Sequence, residues 1–172
     1  MPHNPEQQAS FVEQVEQVEQ IGQIHLEPMK LVGLSVTVAF ENVDMGRIDA
    51  VRQQFFIRRN EIQGILHPDR YWSPWFSAEG VFTYFFCMEV ADLLEIPEGM
   101  IGFTIPAHTY AKLHYDGPRP MNPDPYAVIG EYQREQGLAA LKRALPLEAY
   151  SFAEWQQEGR IVFDVYVPLR TG

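Results

Sequence analysis

The sequence predicts an α+β fold built twice over: a strand, a helix and two further strands, then the same again, giving antiparallel sheets flanked by two helices, an internal pseudo-twofold and a central ligand cleft along its axis. Three observations predict it. Residues 30–40 alternate Val32, Leu34, Val36, Val38 and Phe40 with Gly33, Ser35, Thr37 and Ala39, the period of a strand with one buried face. A helix-spaced segment follows, and then two extended aromatic segments. After a turn in mid-chain the same order of elements returns. With 172 residues, 46% of them hydrophobic, the chain can bury one good core, so both halves are assigned to a single domain over residues 28–172.

Residues 1–27 are read as a lead-in. Val12, Val15, Val18, Ile21 and Ile24 recur every third residue and so drift around a helix. Two readings stay open: a weak helix, or a partly disordered segment whose last residues pair into the sheet. After the strand at 30–40, Asp44 is placed to cap a helix over residues 47–63 in which Ile48, Val51, Phe55 and Ile62 keep helical spacing and Arg52, Arg58 and Arg59 face water. Gly64 closes it. Residues 71–76 form an aromatic strand in which Pro74 suggests a sheet edge. Residues 81–90 are the next strand.

The Pro97-Glu98-Gly99 turn is the hinge of the pattern, with Pro97 suited to the second turn position and Gly99 to a positive φ. Strands at 100–105 and 109–115 are separated by Pro106. A helix at 124–136 stops at Gly137, and strands at 146–152 and 160–169 complete the second half.

Charge narrows the function. Thirteen Lys+Arg against 23 Asp+Glu give a net charge of -10, which repels a phosphate backbone and argues against nucleic acid or an anionic membrane as partner. One cysteine, Cys87, leaves no internal disulfide, and no signal peptide or long apolar span is present, so a cytoplasmic protein is expected. The histidines at 3, 25, 67, 108 and 114 show no metal-ligand spacing. GxGxxG, GxxxxGK[ST] and GxSxG are absent as well, and no cofactor or metal is expected.

Glu148, in the segment ALPLEAYSF, is the unusual residue. It lies in an apolar strand and shares a face with Tyr150. That face looks either at bulk water or into the groove. In the groove, an unpartnered carboxylate would cost several kcal/mol, and its natural partner is a cation brought by a ligand. Aromatic residues cluster around this segment in the predicted sheet. Phe82, Tyr84 and Phe86 share one face of their strand, Trp72 and Trp75 lie on the strand before it, and Tyr110, Tyr150 and Tyr166 belong to the other half. A sheet with helices on one side leaves its other face to line a cleft. The candidate ligand-binding residues are therefore Glu148, Tyr150, Trp72, Trp75, Tyr84, Phe86, Tyr110 and Tyr166. Such a cleft suits flat, apolar cations, each cation-π contact adding roughly 0.5 to 2 kcal/mol.

The segments MEV, IPEGM, IPAHTYAKLHYDG, PYAVIGEY, PLEAY and FDVYVPL, in that order, resemble the GyrI-like effector-binding domain, which also occurs attached to AraC-type and MerR-type multidrug-responsive transcription regulators. The resemblance covers residues 29–169 and implies a duplicated strand-helix-strand-strand (SHS2-type) module. It also implies a glutamate in an F-E-x-Y strand that binds cationic aromatic ligands from the centre of the cleft. Leu147-Glu148-Ala149-Tyr150 matches that motif, whereas the alternative Phe152-Ala153-Glu154-Trp155 puts Ala where the acid belongs. A Tyr-Gly pair common in the family's first half is replaced here by Tyr71-Trp72-Ser73-Pro74-Trp75.

With no Arg in residues 1–27 and too little length there for a helix-turn-helix, a stand-alone member is expected. The first function implied is ligand sensing or sequestration of aromatic or cationic small molecules. The second is a hydrolase of cyclopropanoid electrophiles with Glu148 as catalytic base, and the third an acidic protein-interaction module. Homodimerisation is left open.

Overall fold

Alternation along the strands and capping at the helices set the architecture. The computed structural model describes residues 21–171; the valines at 12, 15 and 18 lie outside them. In chain order the elements are β1 (Gly22–Leu26), β2 (Met29–Ala39), α1 (Met45–Arg58), a 3-10 turn (Arg59–Glu61), β3 (Arg70–Ala78), β4 (Val81–Val90), β5 (Ile101–Ile105), β6 (His108–Pro118), α2 (Pro125–Gln136), β7 (Leu147–Ser151), the short β8 (Gln156–Gln157) and β9 (Arg160–Pro168). All nine strands join one sheet in the order β1-β6-β9-β7-β3-β4-β2-β5, with β8 beside β9. Every pairing is antiparallel.

The order is symmetric about the central pair β3 and β7. Outward from it, β4 matches β9, β2 matches β6, and β5 matches β1. The α+β fold and its duplicated strand-helix-strand-strand plan are thus realised. Each half gives one strand to the other. β1 leads into β2 across Glu27-Pro28 but pairs with β6, while β5 leads into β6 across Pro106-Ala107 but pairs with β2. Among the described residues the sheet begins at Gly22, inside the segment read as a lead-in.

Local chemistry explains the helices. The Asp44 carboxylate accepts the Arg47 N–H at 3.1 Å and the Asp124 carboxylate accepts the Tyr126 N–H at 3.0 Å, so each helix has a side-chain cap on its first turn. Pro125 fits the first turn of α2, where its missing N–H costs nothing, and Gly137 ends that helix at φ 65°. α1 packs on β2 and β4, and α2 on β6 and β9. Under α1, Val32, Leu34, Val36, Val38, Ile48, Phe55 and Phe86 form one core; under α2, Leu113, Tyr115, Ile129, Phe163 and Val165 form another.

The opposite face of the curled sheet is no open cleft. Leu31, Trp72, Cys87, Ile105, Tyr110, Leu147 and Tyr166 pack there against one another, with Ile24 and Leu26 of β1 and Phe103 of β5 added from the two edges. Curling brings those edges onto one cluster, so a face without helices is buried all the same.

Two turn-forming residues sit differently from expectation. Pro74 is in the central strand rather than at an edge. Pairing of β3 with β4 lapses at Ser73 and Pro74 and resumes at Trp75, so the missing N–H falls where no ladder bond is made. At the mid-chain turn the Met100 N–H donates to the Pro97 carbonyl at 3.0 Å. Pro97 is therefore the first turn residue, and Gly99 at φ 80° the third. β5 does not fold back on β4, because both flank β2.

Gly33 lies in β2 between Cys87 and Ile101. A Cβ there would fall 1.8 Å from the Phe86 carbonyl oxygen, whereas one on Gly22 would meet nothing within 4 Å. Gly33→Ala should therefore lose about 1–3 kcal/mol from forced backbone movement, read by chemical denaturation, while Gly22→Ala serves as the neutral control. Equal stability of the two variants would show that β2 shifts at no cost.

Candidate functional site

A cavity of about 1140 Å³ opens on the helix-bearing side of the sheet, over the junction of the two halves. Alternation decides what faces it. Ser73 comes from β3, Phe82, Tyr84 and Phe86 from β4, Glu148 and Tyr150 from β7, and Ile161 and Phe163 from β9. α1 adds Ile48 and Arg52, and the turn after β7 adds Trp155. Phe40 and Met121 line it from loops, and Met45 from the first position of α1.

Glu148 is at the base. It is 3% exposed, and its carboxylate accepts from three tyrosine hydroxyls: Tyr150 at 2.7 Å, Tyr126 at 2.5 Å, and Tyr84 at 3.3 and 3.4 Å to the two oxygens. These donors come from β7, α2 and β4, so both halves hold the charge. Burial pushes the Glu148 carboxyl above the ordinary range, opposed by the Tyr126, Tyr150 and Tyr84 hydroxyls and by the positive Arg52. Burial first, and then the charge of Glu148, push Tyr84, Tyr126 and Tyr150 well above the usual phenol value. All three therefore remain protonated donors at neutral pH. The Trp75 indole N–H donates at 2.7 Å to the Tyr126 oxygen, which fixes that hydroxyl's hydrogen toward Glu148.

The sequence left Glu148 facing either bulk water or the groove, with a ligand cation as its partner in the groove; here three tyrosine hydroxyls already hold it. Among the described residues no Lys, Arg or His forms an ion pair with it. Tyr84, Phe86 and Tyr150 join Glu148 in lining the cavity. Trp75 reaches the carboxylate only through Tyr126. Trp72, Tyr110 and Tyr166 lie elsewhere, in the buried cluster on the opposite face. Trp72 and Trp75 are three residues apart on one strand, so they cannot both point into the same cavity. Tyr110 precedes Ala111 and Tyr166 follows Val165, residues that pack under α2, so both rings point away from it.

Sequence reasoning missed Arg52, Tyr126 and Trp155. Arg52 was expected to face water, but its guanidinium lies 5.3 Å from the Phe86 ring centre and 5.1 Å from that of Trp155, paired with Asp49. Its position four residues after the buried Ile48 was the signal, since that spacing shares a helix face. Arg59 likewise rests 4.2 Å from the centre of the Phe152 ring, and Arg58 bonds Glu61 and the Glu98 carbonyl. Tyr126 gave no signal, because only the approach of α2 to β7 brings it to Glu148.

Residues 19–170 match the family described as GyrI-like small molecule binding domain, and the chain belongs to that family. Among solved structures, its fold is similar to that of SAV2435 bound to tetraphenylphosphonium, at 14% identity and a TM-score of 0.67 over 87% of this chain and 93% of that one. The EcmrR C-terminal domain is similar at 15% identity and a TM-score of 0.65, over 89% and 98%. A hydrolase from Listeria innocua is similar at 9% identity and a TM-score of 0.53, over 88% and 92%. At these identities the likeness is one of fold. No curated protein matches the sequence. Among the described residues, no helix is long and apolar enough to cross a membrane.

Tyr126→Phe removes one donor from the ionised carboxylate, and a bond to the charged form lowers a pKa, so its loss should raise that of Glu148 further. Carbon NMR of labelled glutamate carboxyls should show the buried midpoint moving up relative to wild type. An unmoved midpoint in a folded variant would mean that the Tyr126 hydroxyl does not share the charge.

Proposed function

We propose that the cavity binds amphipathic aromatic small molecules and prefers those carrying a positive charge. The observation that carries this reading is the ionisable group at its base: a buried carboxylate held, among the described residues, by hydroxyl donors alone, beneath walls of aromatic carbon. Hydrogen bonds to a charged group are worth about 1.5–3 kcal/mol each, which holds Glu148 in place but leaves its formal charge unneutralised. A desolvated cation above it gains from that charge and from the ring faces. Arg52 supports the second part, since it is a cation already resting on Phe86 and Trp155. The tetraphenylphosphonium in the SAV2435 structure is an aromatic cation of the kind proposed, and makes a practical probe.

The hydrolase reading is weaker. A carboxylate offers about four acceptor positions, and the tyrosine hydroxyls occupy most of those on Glu148, leaving little to hold an attacking water. A cyclopropanoid electrophile incubated with the protein should be recovered unchanged. Product formed by wild type and not by Glu148→Gln would move the assignment to a hydrolase.

Calorimetric titration of tetraphenylphosphonium and of neutral triphenylphosphine oxide tests the binding reading. Glu148→Gln keeps the shape and removes the charge, so the cation should bind about ten- to a hundredfold more weakly, or roughly 1.4 to 2.7 kcal/mol, while the neutral compound changes little. Equal losses would give Glu148 a structural role only. In wild type, cation affinity should also fall as pH drops through the Glu148 pKa, which burial places above the ordinary carboxylate range. A flat profile down to pH 4 in folded protein would tell against the carboxylate.

A further inference from the structure

The base of the cavity holds a second polar group. Ser73 is 1% exposed, lines the cavity, and its hydroxyl has no hydrogen-bond partner among the described residues. It stands directly opposite Glu148 in the pairing of β3 with β7, a relation that puts Cβ atoms on the same face about 4.5–5.5 Å apart. Glu148 turns its oxygens to Tyr84, Tyr126 and Tyr150 and leaves Ser73 alone. An orphaned buried hydroxyl is costly and uncommon in a folded protein.

We propose that Ser73 is a ligand-reading group that selects N–H-bearing cations, protonated secondary or tertiary amines, over permanent cations without an N–H. This rests on the cation-binding reading above and names the class of ligand within it.

Charge and hydrogen bonding choose the same chemistry. A ligand oxygen, whether carbonyl or anionic, brought to Ser73 would lie against the Glu148 carboxylate and be repelled. An ammonium N–H is attracted by that charge and can donate to the serine oxygen. A hydroxyl donates once and accepts twice, so Ser73 can turn an acceptor lone pair to the N–H of a ligand. The carboxylate, with most of its acceptor positions occupied, supplies charge, and Ser73 supplies the free acceptor. A quaternary ammonium or phosphonium gains the charge but leaves Ser73 as orphaned as before. An unpaired buried polar group is the strongest basis for discriminating between ligands of one shape.

The test pairs imipramine, a tricyclic tertiary amine protonated at neutral pH, with its N-methyl quaternary salt, titrated calorimetrically at pH 7 into wild type, Ser73→Ala and Glu148→Gln. Wild type should bind the tertiary amine about tenfold more tightly than the quaternary salt. Ser73→Ala should abolish that preference by weakening the amine about tenfold, with the quaternary salt unchanged within about twofold. Glu148→Gln should weaken both. The ligand-free Ser73→Ala protein should melt about 2–4 °C higher, because an unsatisfied buried hydroxyl is gone; this also establishes that the variant folds.

Unchanged or equal effects of Ser73→Ala on the two ligands would overturn the role of Ser73 while leaving the cation reading intact. If Glu148→Gln weakens neither, the cation reading fails and this inference falls with it.

Discussion

The antiparallel pairing of β3 with β7 is the constraint on which the rest of the molecule depends. Each half packs its helix on its own pair of outer strands, α1 on β2 and β4 and α2 on β6 and β9, so the two helices are kept apart by the strands between them. The space left over the central pair is the cavity. The same pairing sets Ser73 across from Glu148 and Tyr71 across from Tyr150. The rings of Tyr71 and Tyr150 stack at 5.1 Å, and that of Phe163 continues the stack at 5.2 Å. The cavity rests on an aromatic layer that crosses the pseudo-twofold, with one carboxylate set into it.

That carboxylate shows how a charge is kept inside an apolar core without an ion pair. A direct salt bridge would neutralise Glu148 and leave nothing for a ligand to meet. Phenol hydroxyls donate hydrogen bonds yet carry no charge, and burial holds them protonated. Desolvation still outweighs the help they give, as the upward direction of the Glu148 pKa indicates. The fold therefore carries an electrostatic deficit at the base of the cavity.

Much of the fold was legible because it rests on local rules. The alternation of β2, the caps at Asp44 and Asp124, and the stop at Gly137 each express a preference that the neighbouring residues decide. Pro74 was misplaced because a proline excludes one ladder bond rather than a whole position in a sheet. Glu148 could be singled out as a carboxylate in an apolar strand, but periodicity could not say which side its face looked toward. Trp72, Tyr110 and Tyr166 looked like cleft residues because the sequence does not reveal the curl that closes the opposite face. Arg52 and Tyr126 depend on how the helices are docked, and a contact made by docking leaves no mark in spacing alone.

The exchange of β1 and β5 between the halves has a mechanical result. Swinging the halves apart about the β3·β7 seam would also stretch the two-residue links Glu27-Pro28 and Pro106-Ala107, which join β1 to β2 and β5 to β6 across it, so the sheet is built as a clasped frame rather than a hinge. The rim is softer, for Phe40, Met45 and Met121 there are 60%, 49% and 38% exposed. Unbranched methionine side chains re-pack readily against irregular shapes. The frame fixes the depth and charge of the chamber, and its lip is lined by side chains that can re-pack.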